Sequence, residues 1–218
     1  HPPGIRHGGV TLTFEIVRPE DIERRSMEII TSELGDRTWP EPEFSILKRC
    51  IHTSADFDYA ENLWFSDGAA RTGIDAIRRG ACIVTDTKMA AAGINKTRLK
   101  SYGGSVHCFM SDPDVAEEAK RRGCTRATIC MERGAEIGGD VVFAIGNAPT
   151  AIVRLCELIK EGKADPALVV GAPVGFVNVV EAKELLVGTG APCIVPRGRK
   201  GGSNIAATIC NAMIYYRG

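Results

Sequence analysis

Apolar residues recur at helical spacing through the first third of the chain, and after residue 80 the pattern changes to short continuous apolar runs. The stretch "PEDIERRSMEIITSELG" has Pro19 early, acidic residues in its first turn, an apolar stripe and a terminal Gly35, which predicts a helix. "PEFSILKRCIHTSA" predicts a second helix, and "DGAARTGIDAIRRG" a third, from near Asp67 to Gly80. No convincing strand precedes residue 81. From there "ACIVTD" (81–86), "SVHCF" (105–109), "VVFAIG" (141–146), "ALVVGAPV" (167–174) and "PCIVP" (192–196) read as strands. Between them lie the helical patterns "DPDVAEEAKRRG", "TRATICMERGAEIG", "APTAIVRLCELIKEG" and "NVVEAKELLVGTG", and "SNIAATICNAMIYY" is the last.

Continuous apolar strands that alternate with helices predict an α/β fold, a mainly parallel sheet with helices on both faces. The N-terminal helices are expected to pack at its side or to form a dimer interface. Residues 15–218 read as one domain, and the opening "HPPGIRHGG" resembles a tag or linker over residues 1–14, with His1 and His7 set aside. Ligands of such sheets bind beyond the carboxyl ends of the strands.

Three loops stand out on that expected edge. "AIGNAPTAI" ends a strand at Gly146, offers Asn147 as a cap and starts a helix with Pro149 near its first turn, where free backbone N–H groups suit a carboxylate or phosphate. "GAPVGFVNVVEAKELL" repeats the pattern with Gly171 and Gly175. "PRGRKGGSNIAATI" sets Arg197, Arg199 and Lys200 beside Gly201, Gly202 and Ser203. Capping alone accounts for any one of these loops; three on one edge point to a ligand. Yet "GRKGGS" is not a P-loop, "GTGAPC" lacks the third glycine of a dinucleotide fingerprint and "GGSVH" is not a nucleophile elbow.

Composition narrows the partners. Lysine plus arginine (27) balance aspartate plus glutamate (27) over 218 residues, so overall charge draws the chain neither to nucleic acid nor to a membrane surface. An anionic ligand must be met by local charge. The eight cysteines sit mostly in apolar runs such as "ACIVTD", "TICM" and "RLCELI", where a reduced thiol acts as a small hydrophobe, and a cytoplasmic setting is expected. No CxxC occurs, the closest pair being Cys124 and Cys130. No apolar run reaches the ~18 residues of a bilayer span, and no signal segment is recognised.

Two histidines remain. His107 lies within the apolar "SVHCF" and reads as structural. His52, in "RCIHTSADFD", is followed by Asp56 and Asp58, which opens three readings: a metal ligand, a general acid or base, or a satisfied core residue. No second histidine stands nearby to complete HxxxH.

Taken together, "ERRSMEII", "CIHTSADFDYAENLWFS", "IVTDTKMAAAGI", "TRAT", "VVFAIGNAPTA", "GAPVGFVNVVEAKE" and "GRKGGSNIAA" resemble, in order, the precorrin-8X methylmutase family, including its cobalt-precorrin-8 counterpart. The resemblance runs from about Ile16 to Tyr215. It implies an isomerase of corrin biosynthesis that moves a methyl group from C-11 to C-12 of precorrin-8X or cobalt-precorrin-8, giving hydrogenobyrinate or cobyrinate. It implies no cofactor, cobalt entering only as part of the substrate. His52 maps onto the family's catalytic histidine, whose role is general acid toward ring C; an imidazole suits this because its unperturbed pKa, about 6.5, is near cellular pH. Ser26 and Arg126 match polar residues of the family's substrate pocket. Asp86 can orient a ligand or cap a helix, and Lys88 can meet a carboxylate. Gly146, Asn147, Gly175, Arg197, Arg199, Gly201, Gly202 and Ser203 complete the expected substrate contacts, and no protein-bound metal is expected. Family members are homodimers, and Trp64 and Phe65 can supply contact surface or cover the sheet. Two alternatives remain: a non-catalytic tetrapyrrole-binding or shuttle protein, and a metal-dependent hydrolase using His52, Asp56 and Asp58.

Overall fold

The computed structural model describes residues 5–7 and 10–12 as backbone and residues 14–218 in full. Two compact units divide the chain, 1–37 and 38–218. In the first, β1 (Ile5–His7) pairs antiparallel with β2 (Val10–Leu12), and a 3-10 turn over Pro19–Asp21 leads into α1 (Ile22–Leu34). The helix expected over residues 19–35 is therefore present. Pro19 suits the first turn because its missing N–H would be unpaired there anyway, and Gly35, at φ +64°, lies just past the helix end. Of the tag-like stretch 1–14, residues 1–4, 8, 9 and 13 lie outside the described residues.

The second unit begins with α2 (Glu43–Ser54), α3 (Tyr59–Asn62), β3 (Leu63–Phe65) and α4 (Ala69–Arg78). Alternation then sets in: β4 (Cys82–Thr85), α5 (Lys88–Gly93), α6 (Lys96–Ser101), β5 (Ser105–His107), α7 (Pro113–Arg122), α8 (Arg126–Ala135) and β6 (Val141–Ile145). It continues through α9 (Pro149–Lys160), β7 (Leu168–Gly171), α10 (Val179–Val187), β8 (Cys193–Pro196) and α11 (Ser203–Tyr215). Six strands form one sheet in the order β3-β8-β7-β6-β4-β5. All neighbours are parallel except β3 and β8.

That exception, together with the β1–β2 pair, corrects the expectation that no strand precedes residue 81. Leu63, Trp64 and Phe65 pair with Pro196, Val195 and Ile194. Three residues show no periodicity of their own, and the strand exists because β8 supplies its ladder. The helices α5 and α6 were not anticipated either. Each has six residues, too few to display a helical period, although Thr87 and Asn95 cap them by accepting the N–H of Ala90 and Arg98.

Every residue of β4, β6, β7 and β8 is buried, as continuous apolar strands require when both faces are covered. Helices α8, α9 and α10 pack side by side, and their core includes Ile129, Met131, Ile152, Leu155 and Leu186 together with Phe143 and Val195 of the sheet. Helix α11 contacts α2, α4 and α5 as well as β6 and β7. Its long buried roll, Ile205 to Ile214, reflects a helix surrounded on most sides. Gly73 lets α4 approach closely, since a Cβ there would lie 2.7 Å from both Leu168 Cδ2 and Met213 Sδ. Six cysteines are buried and all eight are free thiols; burial pushes Cys50 and Cys210 up to about 12.

Strand β4 is followed in sequence by β5 on one side and has β6 on the other, so the winding reverses between β4 and β6. Outside the carboxyl ends of these strands lies the crevice where such folds bind ligands.

Candidate active site

Asp86 occupies that crevice. It follows β4 directly, is 1% exposed, and its carboxylate accepts the backbone N–H of Gly146 (2.8 Å), Asn147 (2.9 Å) and Ala148 (2.7 Å). Burial pushes its carboxyl up from the usual range, and the three N–H donors pull the other way. The sequence pattern had offered these N–H groups to a ligand carboxylate. That expectation is corrected: an internal carboxylate already holds them. The side chain of Asn147 is exposed, and Gly146 is needed for space, because a Cβ there would lie 2.5 Å from Ser203 Cα.

Ser203, the first residue of α11, shares a 2.7 Å hydroxyl–hydroxyl hydrogen bond with Thr87, which caps α5. Thus the ends of β4 and β6 and the start of α11 meet. The glycines before Ser203 press on another loop: a Cβ on Gly201 would stand 2.4 Å from the Ala172 carbonyl oxygen, and the Gly202 N–H donates to that same oxygen at 2.7 Å. Gly175, at φ +137°, donates its N–H to the Arg199 carbonyl at 3.0 Å. The loops after β7 and β8 are therefore stitched together by their backbones.

Beneath them lies Lys183, unmarked in the sequence reading. It is fully buried, and its ammonium donates to the carbonyls of Gly198 and Lys200, each at 2.8 Å. Burial without a carboxylate partner lowers its pKa to about 8. A signal was present: Val179, Ala182, Lys183 and Leu186 are the buried stripe of α10, so the lysine stands at a core position of the helical pattern.

The three cations expected at the loop after β8 have separate fates. Arg197 makes a two-pronged ion pair with Glu184 (2.9 and 2.5 Å), which holds the Glu184 carboxyl below its usual range. Lys200 donates to Asp56 and Asp58, both at 2.6 Å. Arg199 lies over the Phe176 ring at 5.2 Å and has no carboxylate partner among the described residues. Glu184, on the preceding helix, took the first, and Asp56 and Asp58, from far back in the chain, took the second.

His52 stands near the end of α2. Ile46, Leu47, Cys50 and Ile51 form the buried stripe of that helix, and the next position turns His52 outward into solvent. Among the described residues it has no hydrogen-bond or ion-pair partner. Its helix is firmly seated: the hydroxyls of Thr53 and Thr208 bond α2 to α11 at 3.1 Å, and Ala55, in the left-handed region, ends the helix by donating to the Ile51 carbonyl at 2.7 Å. Ser54 then accepts the Asp56 N–H, and Asp56 accepts the Asp58 N–H. Asp56 and Asp58 face Lys200, and among the described residues no three His, Cys, Asp or Glu side chains form a metal site.

The remaining candidates are scattered. Lys88 begins α5 and is exposed without a partner among the described residues. Arg126 begins α8, is exposed, and reaches the Met110 carbonyl at 3.4 Å. Ser26 belongs to the first unit, where its hydroxyl donates to the Ile22 carbonyl at 2.9 Å. Cavities of about 470 and 680 Å³ lie along α9 and α10, and His52 lines neither.

Fold and site together define a wound α/β protein with glycine-rich loops and exposed cations at its carboxyl edge and an outward-facing imidazole, unpartnered among the described residues, on a firmly seated helix. The chain belongs to the precorrin-8X methylmutase family, whose model matches residues 21–216. It is 45% identical over 197 residues to the cobalt-precorrin-8 methylmutase of Priestia megaterium, covering 90% of this chain and 88% of that one. The Salmonella typhimurium protein of the same name is 43% identical, covering 92% and 97%. The precorrin-8X methylmutase of Pseudomonas aeruginosa is 37% identical, covering 88% and 92%. The crystal structure of the Thermus thermophilus precorrin-8x methyl mutase superimposes with a TM-score of 0.82 at 39% identity, covering 89% and 96%. Members of the family are isomerases of cobalamin biosynthesis.

Proposed function

We propose that this chain moves the methyl group of cobalt-precorrin-8 from C-11 to C-12 of ring C, giving cobyrinate, with His52 as the general acid. Family membership across residues 21–216 carries the reaction class. The cobalt form is favoured over metal-free precorrin-8X because the relatives at 45%, 43% and 40% identity bear the cobalt name, whereas the precorrin-8X name appears at 37% and 34%. In this reading the His52 imidazole donates a proton to the pyrrolic nitrogen of ring C, withdrawing electron density so that the methyl group migrates, and takes the proton back afterwards. Exposure on a fixed helix supports that role, since a proton donor must reach a bound ligand from a rigid element. Arg199, Lys88 and Arg126, without carboxylate partners among the described residues, suit the acetate and propionate groups of the macrocycle. Helix-borne rigidity and a bound, distorted ring supply what acid catalysis, typically worth about 100- to 10,000-fold, does not.

The same reading makes the enzyme a homodimer of the cytoplasm. Exposed Val174, Phe176 and Val177 beyond β7, and free thiols throughout, support it. No described helix is long and apolar enough to cross a membrane.

The test is direct: incubate the protein with cobalt-precorrin-8 and with precorrin-8X and follow the absorption change of methyl migration. Conversion of at least one, with binding but no conversion by His52→Ala, is expected. Wild-type turnover by His52→Ala removes the general-acid role, and binding without conversion by the wild type favours the shuttle reading.

A further inference from the structure

We infer that Lys200 is a positioning residue: through Asp56 and Asp58 it fixes the end of the helix that presents His52, and it does not contact a substrate carboxylate. This rests on the reading of His52 given above. Three observations converge. First, the Lys200 ammonium is engaged by both carboxylates at 2.6 Å, across sequence separations of 144 and 142 for Asp56 and Asp58. Such a bond joins the loop after β8 to the segment starting four residues beyond His52. Second, the Lys200 main chain is itself anchored. The buried Lys183 ammonium holds its carbonyl at 2.8 Å, and the neighbouring Gly201 and Gly202 lie against Ala172 too closely for any Cβ at Gly201. The clamp thus starts from a rigid base. Third, the segment it grips is shaped to be gripped. Ala55 breaks α2 in the left-handed region, and the Ser54 and Asp56 side chains bond the N–H groups of Asp56 and Asp58, leaving Asp56 Oδ2 and Asp58 Oδ2 to the ammonium.

The pairing also settles which duty the cation performs. An ammonium shared by two carboxylates offers little net positive charge to an anionic ligand, whereas Arg199, next to it in sequence, keeps its charge. The hydrogen bond from Lys200 holds the Asp56 carboxyl below its usual range, and the two carboxylates raise the lysine, so the Asp56–Lys200 pair stays ionised near neutrality. Because the group is exposed, its contribution is geometric, and the fold does not depend on it.

The experiment compares K200A, K200R, the D56N/D58N pair and the triple variant D56N/D58N/K200A in steady-state assays on cobalt-precorrin-8 and precorrin-8X. Misplacing a catalytic group by an ångström costs up to about 100-fold. Expected are kcat losses of about 10- to 100-fold in K200A and D56N/D58N, KM nearly unchanged, and no further loss in the triple variant, because all three side chains serve one contact. K200R, able to span both carboxylates, restores most of kcat, and urea midpoints stay at the wild-type value. A raised KM with kcat retained in K200A, or wild-type kinetics in D56N/D58N, overturns the inference. The second readout needs no turnover: the His52 ring signals in NMR spectra are expected to shift or broaden in K200A and D56N/D58N and to recover in K200R. Unchanged signals also overturn it. Should the wild type convert neither tetrapyrrole, the functional reading fails, and the NMR comparison still decides whether Lys200 governs His52.

Discussion

The Asp86 carboxylate, at the end of β4, accepts the Gly146 N–H, at the end of β6, at 2.8 Å. This bond closes the point where the winding of the sheet reverses, and with its two companions it sets the turn into α9. Replacing Asp86 by alanine relieves one buried carboxyl but orphans three N–H groups. Each buried unpaired group costs about 1–3 kcal/mol, so a net loss of about 2–4 kcal/mol is expected, seen as a lower urea midpoint at unchanged slope.

Gly146→Ala tests a different feature of the same corner. Its Cβ would enter the space of Ser203 Cα and N, at 2.5 and 2.8 Å, and backbone cannot swing aside as a flexible side chain can. Overpacking of this kind costs about 1–3 kcal/mol. A variant as stable as the wild type by thermal or urea unfolding would show that the start of α11 is free to move.

Lys183 makes a pH prediction. Its pKa falls from 10.5 to about 8 on folding because burial disfavours the ammonium. Between those values the unfolded chain binds more protons than the folded one, so this group makes stability rise with pH; its benefit is present above 10.5 and lost as pH falls through 8. Buried thiols with raised pKa values act in the opposite sense, so the useful quantity is the difference between wild type and Lys183→Met. That difference should grow in favour of the wild type from pH 8 to pH 10 in urea titrations.

For the basic residues the expected split lies between neighbours. Arg197→Ala leaves KM for the tetrapyrrole nearly unchanged, since Glu184 already holds the guanidinium. Arg199→Ala raises KM about 10-fold, the loss of one charge-assisted contact. Equal effects of the two substitutions would break this assignment.

His52→Ala is expected to lower kcat by about 100- to 10,000-fold, the usual worth of general acid–base catalysis, while the tetrapyrrole still binds. Single-turnover absorption measurements beside equilibrium binding check both halves.

Much of this architecture was legible along the chain. Four of the five parallel strands, β4, β6, β7 and β8, were visible as apolar, β-branched runs because each is buried on both faces, and the glycine loops were visible because only glycine permits the close approaches at Gly146 and Gly201. His52 stood out as one of few candidate histidines, and helical periodicity alone explains why it faces outward while Ile51 does not. The ordered motifs carried the family.

Which polar groups meet was decided only in three dimensions. Asp86 filling the N–H groups of residues 146–148, Lys200 closing on Asp56 and Asp58, and Lys183 bonding two loop carbonyls all join positions far apart in sequence or on different elements. β3 likewise exists only as the partner of β8. The physical reason is common to all four. A helix or strand is written in the spacing of its own side chains, but a hydrogen bond or ion pair depends on two groups that only the folded backbone brings within 3 Å, and nothing local marks which partner will arrive.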